Sequence, residues 1–148
     1  MPTIGVSIIA HNEEAHLAGA IESAAFADEV IVVDCASTDR TSEIARSFDR
    51  VRLFWRPNDA NLNVNKSFGF DQLSTDWIFY LDPDERIPPP LTEEIRRSIA
   101  DTPHAAFRLS RRNHFFGRML AHGGQYPDAQ LRLFRRGKAS FPNRHVHE

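Results

Sequence analysis

Four short runs of hydrophobic residues, each of strand length, divide the first 81 positions. The runs are residues 4–10, 30–34, 51–55 and 77–81. Between them, apolar residues at helical spacing predict helices over about residues 13–25 and 62–73, and a third helix that carries Ile44, Ala45 and Phe48. Strands that alternate with helices in this way are typical of a parallel sheet with right-handed crossovers.

Polar residues before two of these helices predict where the helices begin. Asn12 is a candidate N-cap for the first helix, with Glu13 and Glu14 in its first turn. The stretch 37–39 (Ser-Thr-Asp) offers caps for the second helix. Short polar side chains at these positions accept hydrogen bonds from the first free N–H groups of a helix.

The hydrophobic pattern changes after three consecutive prolines at positions 88–90. A helix is predicted over about residues 91–100, and residues 105–116 and 129–141 then alternate apolar with basic side chains. Such alternation predicts antiparallel strands with one face in water. The expected fold class is therefore α/β, with a mainly parallel sheet flanked by helices and a smaller antiparallel region in the C-terminal third.

Length and composition place the chain among folded, soluble proteins. Its 148 residues suffice for a single domain, 1–148, and 41% hydrophobic with 26% charged residues is an ordinary globular balance. Cys35 is the one cysteine, which excludes an internal disulfide and suits a reducing compartment. Because no apolar run approaches the ~20 residues of a membrane span and no basic leader opens the sequence, we expect a cytoplasmic protein.

Charge is divided unevenly between the two parts of the chain. Residues 1–100 carry 9 basic and 17 acidic side chains, whereas residues 101–148 carry 9 basic and 3 acidic ones. The basic part could meet donor phosphates, an anionic acceptor, a membrane surface or nucleic acid, and a solvated strand face explains it equally well. Since the alternating pattern already accounts for the mixed Arg and Phe residues at 111–116, we expect an anionic saccharide or lipid-linked partner and no nucleic acid.

Acidic and polar residues follow three of the predicted strands. His11-Asn12-Glu13 follows the first, Asp34 ends the second, and Asp82-Pro83-Asp84-Glu85 follows the fourth. Ligands of open parallel sheets bind beyond the carboxyl ends of the strands. Carboxylates at one such end suit Mg²⁺ or Mn²⁺, which combine one or two carboxylates with substrate phosphates and waters. A bare Asp-x-Asp is usually a turn, but its place after a buried strand favours a cation site at Asp82 and Asp84.

Other nucleotide-binding signatures are missing. No GxGxxG follows the first strand and no GxxxxGK[ST] occurs, which argues against nicotinamide enzymes and P-loop ATPases. The final residues, His145-Val146-His147-Glu148, could supply a metal ligand and a catalytic carboxylate, or could simply be a polar strand end.

Several of these segments together resemble the inverting family 2 glycosyltransferases of the Rossmann-like GT-A fold, over essentially the whole chain. The similar segments are SIIAHNEEAHLAGAIESA, VIVVDCASTDRTSEIA, WIFYLDPDE and GGQYPDAQLRLFRRGKASFPNRHVHE. The last is similar to a subgroup related to lipopolysaccharide core glucosyltransferases. Pro83 and the Cys35-Ala36 pair depart mildly from the usual family residues.

The resemblance implies roles for individual residues. Contacts with the nucleotide sugar would come from Asn12, Glu14 or its neighbour Glu13, Asp34, Asp39, Lys66 and Asp82. The metal would be held by Asp82, Asp84 and His147, and Glu148 would be the general base. Residues 1–100 would form the nucleotide-sugar-binding half and residues 101–148 the acceptor side. Because family members usually continue beyond the His-Glu pair, we expect a chain shortened at its C-terminus.

The implied activity is inverting transfer of a sugar from a nucleotide diphosphate sugar, with UDP-sugars expected first, to a saccharide or lipid-linked acceptor. Lipopolysaccharide or cell-envelope glycan synthesis, with peripheral contact at the inner face of the membrane, is compatible with this. One alternative is a nucleotide-sugar-binding domain without complete activity. Another, a haloacid dehalogenase-type phosphatase, is disfavoured because Asp-x-Asp comes late in the chain and Glu85-Arg86 follows it. The sugar, the base, the acceptor and the oligomeric state are not identified.

Overall fold

The computed structural model describes residues 1–111, 114–115, 118–119 and 128–138, with the backbone alone at 111, 114–115, 118–119 and 128–129. The strands are β1 (Ile4–Ala10), β2 (Glu29–Cys35), β3 (Val51–Arg56), β4 (Trp77–Leu81), β5 (Ala106–Arg111), β6 (His114–Phe115), β7 (Arg118–Met119) and β8 (Asp128–Arg135). The helices are α1 (Leu17–Ser23), α2 (Thr41–Arg46), α3 (Leu62–Asp71) and α4 (Pro89–Ala100).

Six strands form one mixed sheet in the order β3-β2-β1-β4-β8-β5. The first four are parallel, as the hydrophobic runs predict, and β8 pairs antiparallel with both β4 and β5. The strands β6 and β7 form a separate two-stranded pair. The chain builds outward from β1 through β2 to β3 and then returns to place β4 on the other side of β1. The strand order therefore reverses beside β1, where ligand crevices of open α/β sheets lie.

Both faces of the parallel strands are covered. One face packs against α1, α2 and α4 through side chains such as Leu17, Ala45 and Ile95. The other face packs against α3, whose Phe70 joins a smaller cluster with Ile78 and other sheet residues. Burial on two sides explains why β1, β2 and β4 appear in the sequence as continuous apolar runs.

The first helix differs from its prediction. It begins at Leu17 rather than near residue 13, and Asn12 is not its N-cap. Asn12 adopts a left-handed backbone (φ 51°), and its side-chain oxygen accepts a hydrogen bond of 2.8 Å from the backbone N–H of Thr38. This partner lies 26 residues away, so local spacing could not reveal it.

Smaller differences occur at the other helices. The second helix has Arg40 at its N-cap position rather than one of residues 37–39, although Asp39 accepts the backbone N–H of Thr41 at 2.9 Å. It ends at Arg46, before Phe48. The third begins at residue 62 as predicted and ends at residue 71, two residues early. The fourth begins at Pro89 instead of Leu91, because proline fits the first helical turn, where its missing N–H costs nothing.

The antiparallel strands predicted in the C-terminal third are present as β5 and β8. They extend the main sheet, since Trp77 of β4 pairs with Arg135 of β8. This arrangement brings β8 alongside the acidic residues that follow β4. Within the described ranges, no helix is both long and apolar enough to cross a membrane.

Candidate functional site

Polar residues that follow β1, β2 and β4 meet at one edge of the sheet. Ala10 of β1 pairs with Asp34 of β2, and Ile8 of β1 pairs with Leu81 of β4. Asp34 and Asp82 therefore stand on either side of the β1 terminus, separated by two strand spacings, or about 10 Å. The strand ends bring these predicted residues to one edge.

Three carboxylates gather directly after β4. One oxygen from each of Asp82, Asp84 and Glu85 lies within 4.8 Å of the others, and we name this group the acidic cluster. The backbone N–H of Glu85 donates to the carbonyl of Asp82 at 3.0 Å, which closes a tight turn around the buried Pro83. Asp84 is exposed, whereas Asp82 and Glu85 are partly buried. Hard oxygen ligands in this number fit Mg²⁺ or Mn²⁺.

A buried arginine from β8 holds two members of the acidic cluster. Arg132 is 6% exposed, and its Nη2 lies 3.1 Å from Asp82 Oδ2 and 2.8 Å from Glu85 Oε1. Its guanidinium carbon lies 4.7 Å from the centre of the Tyr80 ring, and the Tyr80 hydroxyl donates to Asp82 Oδ1. The antiparallel placement of β8 beside β4 is what allows this contact.

The surroundings of the acidic cluster move the pKa values of its carboxyl groups apart. Burial raises the pKa of Glu85 to about 7, and the negative charge of Asp82 adds to this against the opposing effect of Arg132. Burial also acts on Asp82, but the hydrogen bond from Tyr80 and the charge of Arg132 outweigh it, so the pKa of Asp82 is lowered. Burial beside Asp82 raises the pKa of the Tyr80 hydroxyl, which therefore keeps its proton to donate.

The segment from the last two residues of β2 to the first turn of α2, which we name the β2-end loop (residues 34–42), uses its acids differently. Asp34 is 1% exposed; its Oδ1 accepts the backbone N–H of Ser37 at 3.1 Å, and its Oδ2 accepts the Ser42 hydroxyl. Asp39 accepts from the backbone N–H of Thr41. All of these donors are neutral. The carboxylates therefore shape the loop, and each oxygen of Asp34, which accepts one bond among these contacts, retains a lone pair for a ligand donor.

The residues after β1 attach to the β2-end loop. The side chain of Asn12 accepts from Thr38, and the backbone N–H of Asn12 donates to the Ser37 hydroxyl at 2.9 Å. Glu14 donates its backbone N–H to Asp39 at 3.2 Å and accepts the backbone N–H of Arg40 at 3.1 Å. Four of the predicted nucleotide contacts, Asn12, Glu14, Asp34 and Asp39, thus belong to one hydrogen-bonded unit.

Lys66, another predicted contact, lies on the β4 side of this edge. It is 5% exposed in α3, and its Nζ lies 4.9 Å from the centre of the Tyr80 ring. Tyr80 therefore contacts both Lys66 and Arg132. The predicted metal ligand His147 and the predicted base Glu148 lie outside the described residues, as does His145.

Sequence reasoning missed the two residues that organise the acidic cluster. In the sequence, Arg132 is one of nine basic residues between positions 101 and 148, and Tyr80 is only a member of the apolar run at 77–81. A signal for Tyr80 was available: Asp82 follows two positions later, directly after the strand, and residues two apart in extended chain point to the same face. No local signal marks Arg132, whose partners are 50 and 47 residues away.

The sequence as a whole matches the family profile described as "Glycosyl transferase family 2", over residues 6–147. The chain belongs to this family. It is 32% identical over 147 residues to the lipopolysaccharide core biosynthesis glycosyltransferase LpsC of Rhizobium meliloti, an alignment that covers 95% of this chain and 54% of LpsC. The chain thus spans about half the length of this relative.

Solved structures show the same fold. Residues 1–349 of TarS from S. aureus superpose with a TM-score of 0.65 at 17% identity, covering 95% of this chain and 50% of that one. The mannosyltransferase PcManGT from Pyrobaculum calidifontis, solved with GDP-Man and Mn²⁺, gives a TM-score of 0.64 at 20% identity, covering 74% of this chain and 36% of that one. The sheet is therefore that of the Rossmann-like GT-A fold.

Proposed function

We propose that this chain forms the donor-binding part of a metal-dependent, inverting glycosyltransferase. The donor is a nucleotide diphosphate sugar, with UDP-sugars first, and the acceptor is a saccharide or a lipid-linked saccharide. The likeness to LpsC, a lipopolysaccharide core biosynthesis glycosyltransferase, supports a role in lipopolysaccharide or other envelope glycan synthesis. Such a role suits a cytoplasmic protein that works at the inner face of a membrane.

One observation carries the proposal: the acidic cluster stands beyond β4 at the point where the strand order reverses. In a family 2 chain, a group of carboxylates within 4.8 Å at the carboxyl edge of the sheet supports a site for the cation of a sugar-diphosphate donor. The complex of PcManGT with GDP-Man and Mn²⁺ supports both the donor class and the metal.

Different residues at this edge would contact different parts of the donor. Asp34, with Asn12, Glu14 and Asp39, stands at the β2 end and would face the nucleoside. Asp82 and Asp84 would hold Mg²⁺ or Mn²⁺, and Asp82 would also meet the ribose, while Glu85 stands beside them paired with Arg132. Lys66, in contact with Tyr80, would approach the diphosphate. The separation of Asp34 and Asp82 across β1 gives a nucleotide room to lie over the strand end.

Inverting sugar transfer would require three contributions from these residues and the cation. The bound cation would stabilise the charge of the departing nucleoside diphosphate. Lys66 adds a fixed positive charge near the same group. Glu148, predicted from the family resemblance, would take the proton of the acceptor hydroxyl as that oxygen bonds to the anomeric carbon and the bond to the diphosphate breaks. No covalent sugar–enzyme bond is needed.

A thermal-shift panel of nucleotide diphosphate sugars tests the donor class. A ligand that binds only the native state raises the melting temperature by mass action. We expect at least one UDP-sugar to raise it more with Mn²⁺ than without, and Asp84→Ala to lose the Mn²⁺-dependent part. If no nucleotide sugar shifts the transition under either condition, the proposed function is wrong.

A second candidate is a domain that binds the donor without completing transfer. The observation that favours it is that the described geometry belongs to the donor side: the acidic cluster and the β2-end loop stand together at one edge of the sheet. Release of free sugar or of glycosylated acceptor above an Asp84→Ala control would decide for the transferase, whereas donor binding without any release would decide for the binding domain. Family membership argues against the phosphatase alternative.

A further inference from the structure

Most oxygens of the acidic cluster already have partners within the protein. Asp82 Oδ1 accepts from Tyr80 and Oδ2 from Arg132 at 3.1 Å. Glu85 Oε1 accepts from Arg132 at 2.8 Å, and its Oε2 accepts the backbone N–H of Asp82 at 3.3 Å. These bonds fix the orientation of both carboxylates.

Asp84 differs from its two neighbours. It is exposed, and across the described residues no hydrogen bond or ion pair reaches its carboxylate. Asp84 is thus the member of the acidic cluster that faces solvent with an uncompensated charge.

Arg132 is suited by its chemistry and by its position to hold Asp82 and Glu85 while Asp84 stays exposed. A guanidinium keeps its charge at all ordinary pH values and presents several N–H donors in one plane. Arg132 is 6% exposed, and its guanidinium lies 4.7 Å from the centre of the Tyr80 ring. Its side chain is therefore fixed between β8 and the turn after β4, and solvent screens its contacts little.

We propose that Arg132 is the resident counter-ion of the acidic cluster and a positioning residue of the donor site. It holds Asp82 and Glu85 and keeps the donor-free cluster from binding a divalent cation tightly, so that Asp84 alone is left open. That this site binds a sugar donor rests on the proposed function. The effect of Arg132 on the carboxylates is independent of the proposed function.

The consequence concerns cation binding in the absence of nucleotide. With Arg132 in place, a cation finds one open carboxylate and a neighbouring positive charge. Without the guanidinium, Asp82 and Glu85 lose the positive charge that they share, and both lie close to the exposed Asp84. A divalent cation then replaces Arg132 as their counter-ion. Removal of a positive residue should therefore strengthen metal binding while it disturbs the geometry of the donor site.

Titration of MnCl₂ into nucleotide-free protein, with free Mn²⁺ followed by electron paramagnetic resonance, tests this. Arg132→Met should bind Mn²⁺ at least fivefold more tightly than the unchanged protein. Arg135→Met is the matched control on the same strand: Arg135 lies 4.7 Å over Trp77 and donates to carbonyls of Thr102 and His104, away from the acidic cluster. It should leave the affinity unchanged. A smaller change in Arg132→Met, or an equal gain in the control, would overturn the proposal.

Two further variants keep the test decisive if Arg132→Met does not fold. Arg132→Lys retains the charge, so its donor-free Mn²⁺ affinity should stay within twofold of the unchanged protein. Glu85→Gln should also stay within twofold, because Arg132 already holds this carboxylate away from the cation. A larger loss in Glu85→Gln would show that Glu85 binds the ion, which contradicts the proposal. Since no nucleotide is present, these results do not depend on whether the chain binds or transfers a sugar.

Discussion

The β2-end loop and the acidic cluster stand two strands apart at the same edge of one sheet, and they use carboxylates in opposite ways. In the β2-end loop, Asp34 and Asp39 accept bonds from backbone N–H groups and hydroxyls. In the acidic cluster, Asp82 and Glu85 share one guanidinium and Asp84 remains open. Acids at equivalent strand ends are thus bonded to neutral donors at one end, and are paired with an arginine or exposed at the other.

The kind of partner explains the difference. Neutral donors stabilise a carboxylate and leave its charge in place, so the β2-end loop is held in shape and stays negative. An arginine cancels charge and fixes orientation together. Arg132 therefore fixes the arrangement of Asp82 and Glu85, and the following substitutions separate the two regions by their effect on stability.

Removal of Arg132 should have the largest effect on stability. Arg132→Met removes the guanidinium that Asp82 and Glu85 share, and breaking a buried pair in this way costs about 3 kcal/mol in the free energy of unfolding. Urea denaturation without metal measures the change. In the presence of Mn²⁺ part of the loss should be recovered. An unchanged denaturation midpoint would show that the ion pairs of Arg132 contribute nothing to stability.

Removal of Asp34 should have the next largest effect. Asp34→Ala leaves the Ser37 N–H and the Ser42 hydroxyl without their acceptor, at about 1–3 kcal/mol. The same urea experiment applies, and here Mn²⁺ should restore nothing. Recovery of stability by the metal would mean that the two regions do not act separately.

The pH dependence of stability should reveal the raised pKa of Glu85. Burial raises the pKa of Glu85 from 4.5 to about 7, so the native state binds this proton more tightly than the unfolded state does. Its stabilising effect is complete below pH 4.5 and is lost as the pH rises through about 7, a change of roughly 1–3 kcal/mol. The lowered pKa of Asp82 places its own titration below this window.

Glu85→Gln should remove that pH dependence. The difference in free energy of unfolding between unchanged protein and variant, measured without metal, should move in favour of the variant between pH 4.5 and 7. A constant difference across this range would contradict the pKa assigned to Glu85.

Asp84 should have the smallest effect on stability. Its carboxylate is exposed, and no partner for it is found in the part of the chain that the structure describes, so Asp84→Ala should leave the denaturation midpoint unchanged. A clear loss of stability would show that Asp84 is structural, like Asp34.

The fold could be predicted where hydrophobic pattern and burial coincide. The strands β1, β2 and β4 are buried on both faces, so their apolar runs were clear, and the alternation of residues 105–111 and 129–135 indicated antiparallel pairing. The start of α1 could not be predicted, because Asn12 gives its side chain to Thr38 rather than to its own helix.

The candidate site could be predicted only where the local sequence, such as an acid at a strand end, indicates it. Asp34 lies at the end of β2, and Asp82 and Asp84 follow β4. The topology of a parallel sheet brings these strand ends to one edge. Arg132 could not be recognised among nine basic residues of the C-terminal part, because its burial depends on the pairing of β8 with β4. Charge composition predicted a positive surface, whereas this arginine is an internal counter-ion.

Calorimetric titration of UDP with and without Mn²⁺ tests the central claim most directly, namely that the acidic cluster binds the donor diphosphate through a cation. Mn²⁺ should strengthen UDP binding at least tenfold in the unchanged protein and should have no such effect in Asp84→Ala, although both proteins are equally stable. Equal UDP affinity with and without Mn²⁺, or an undiminished metal effect in Asp84→Ala, would contradict the account.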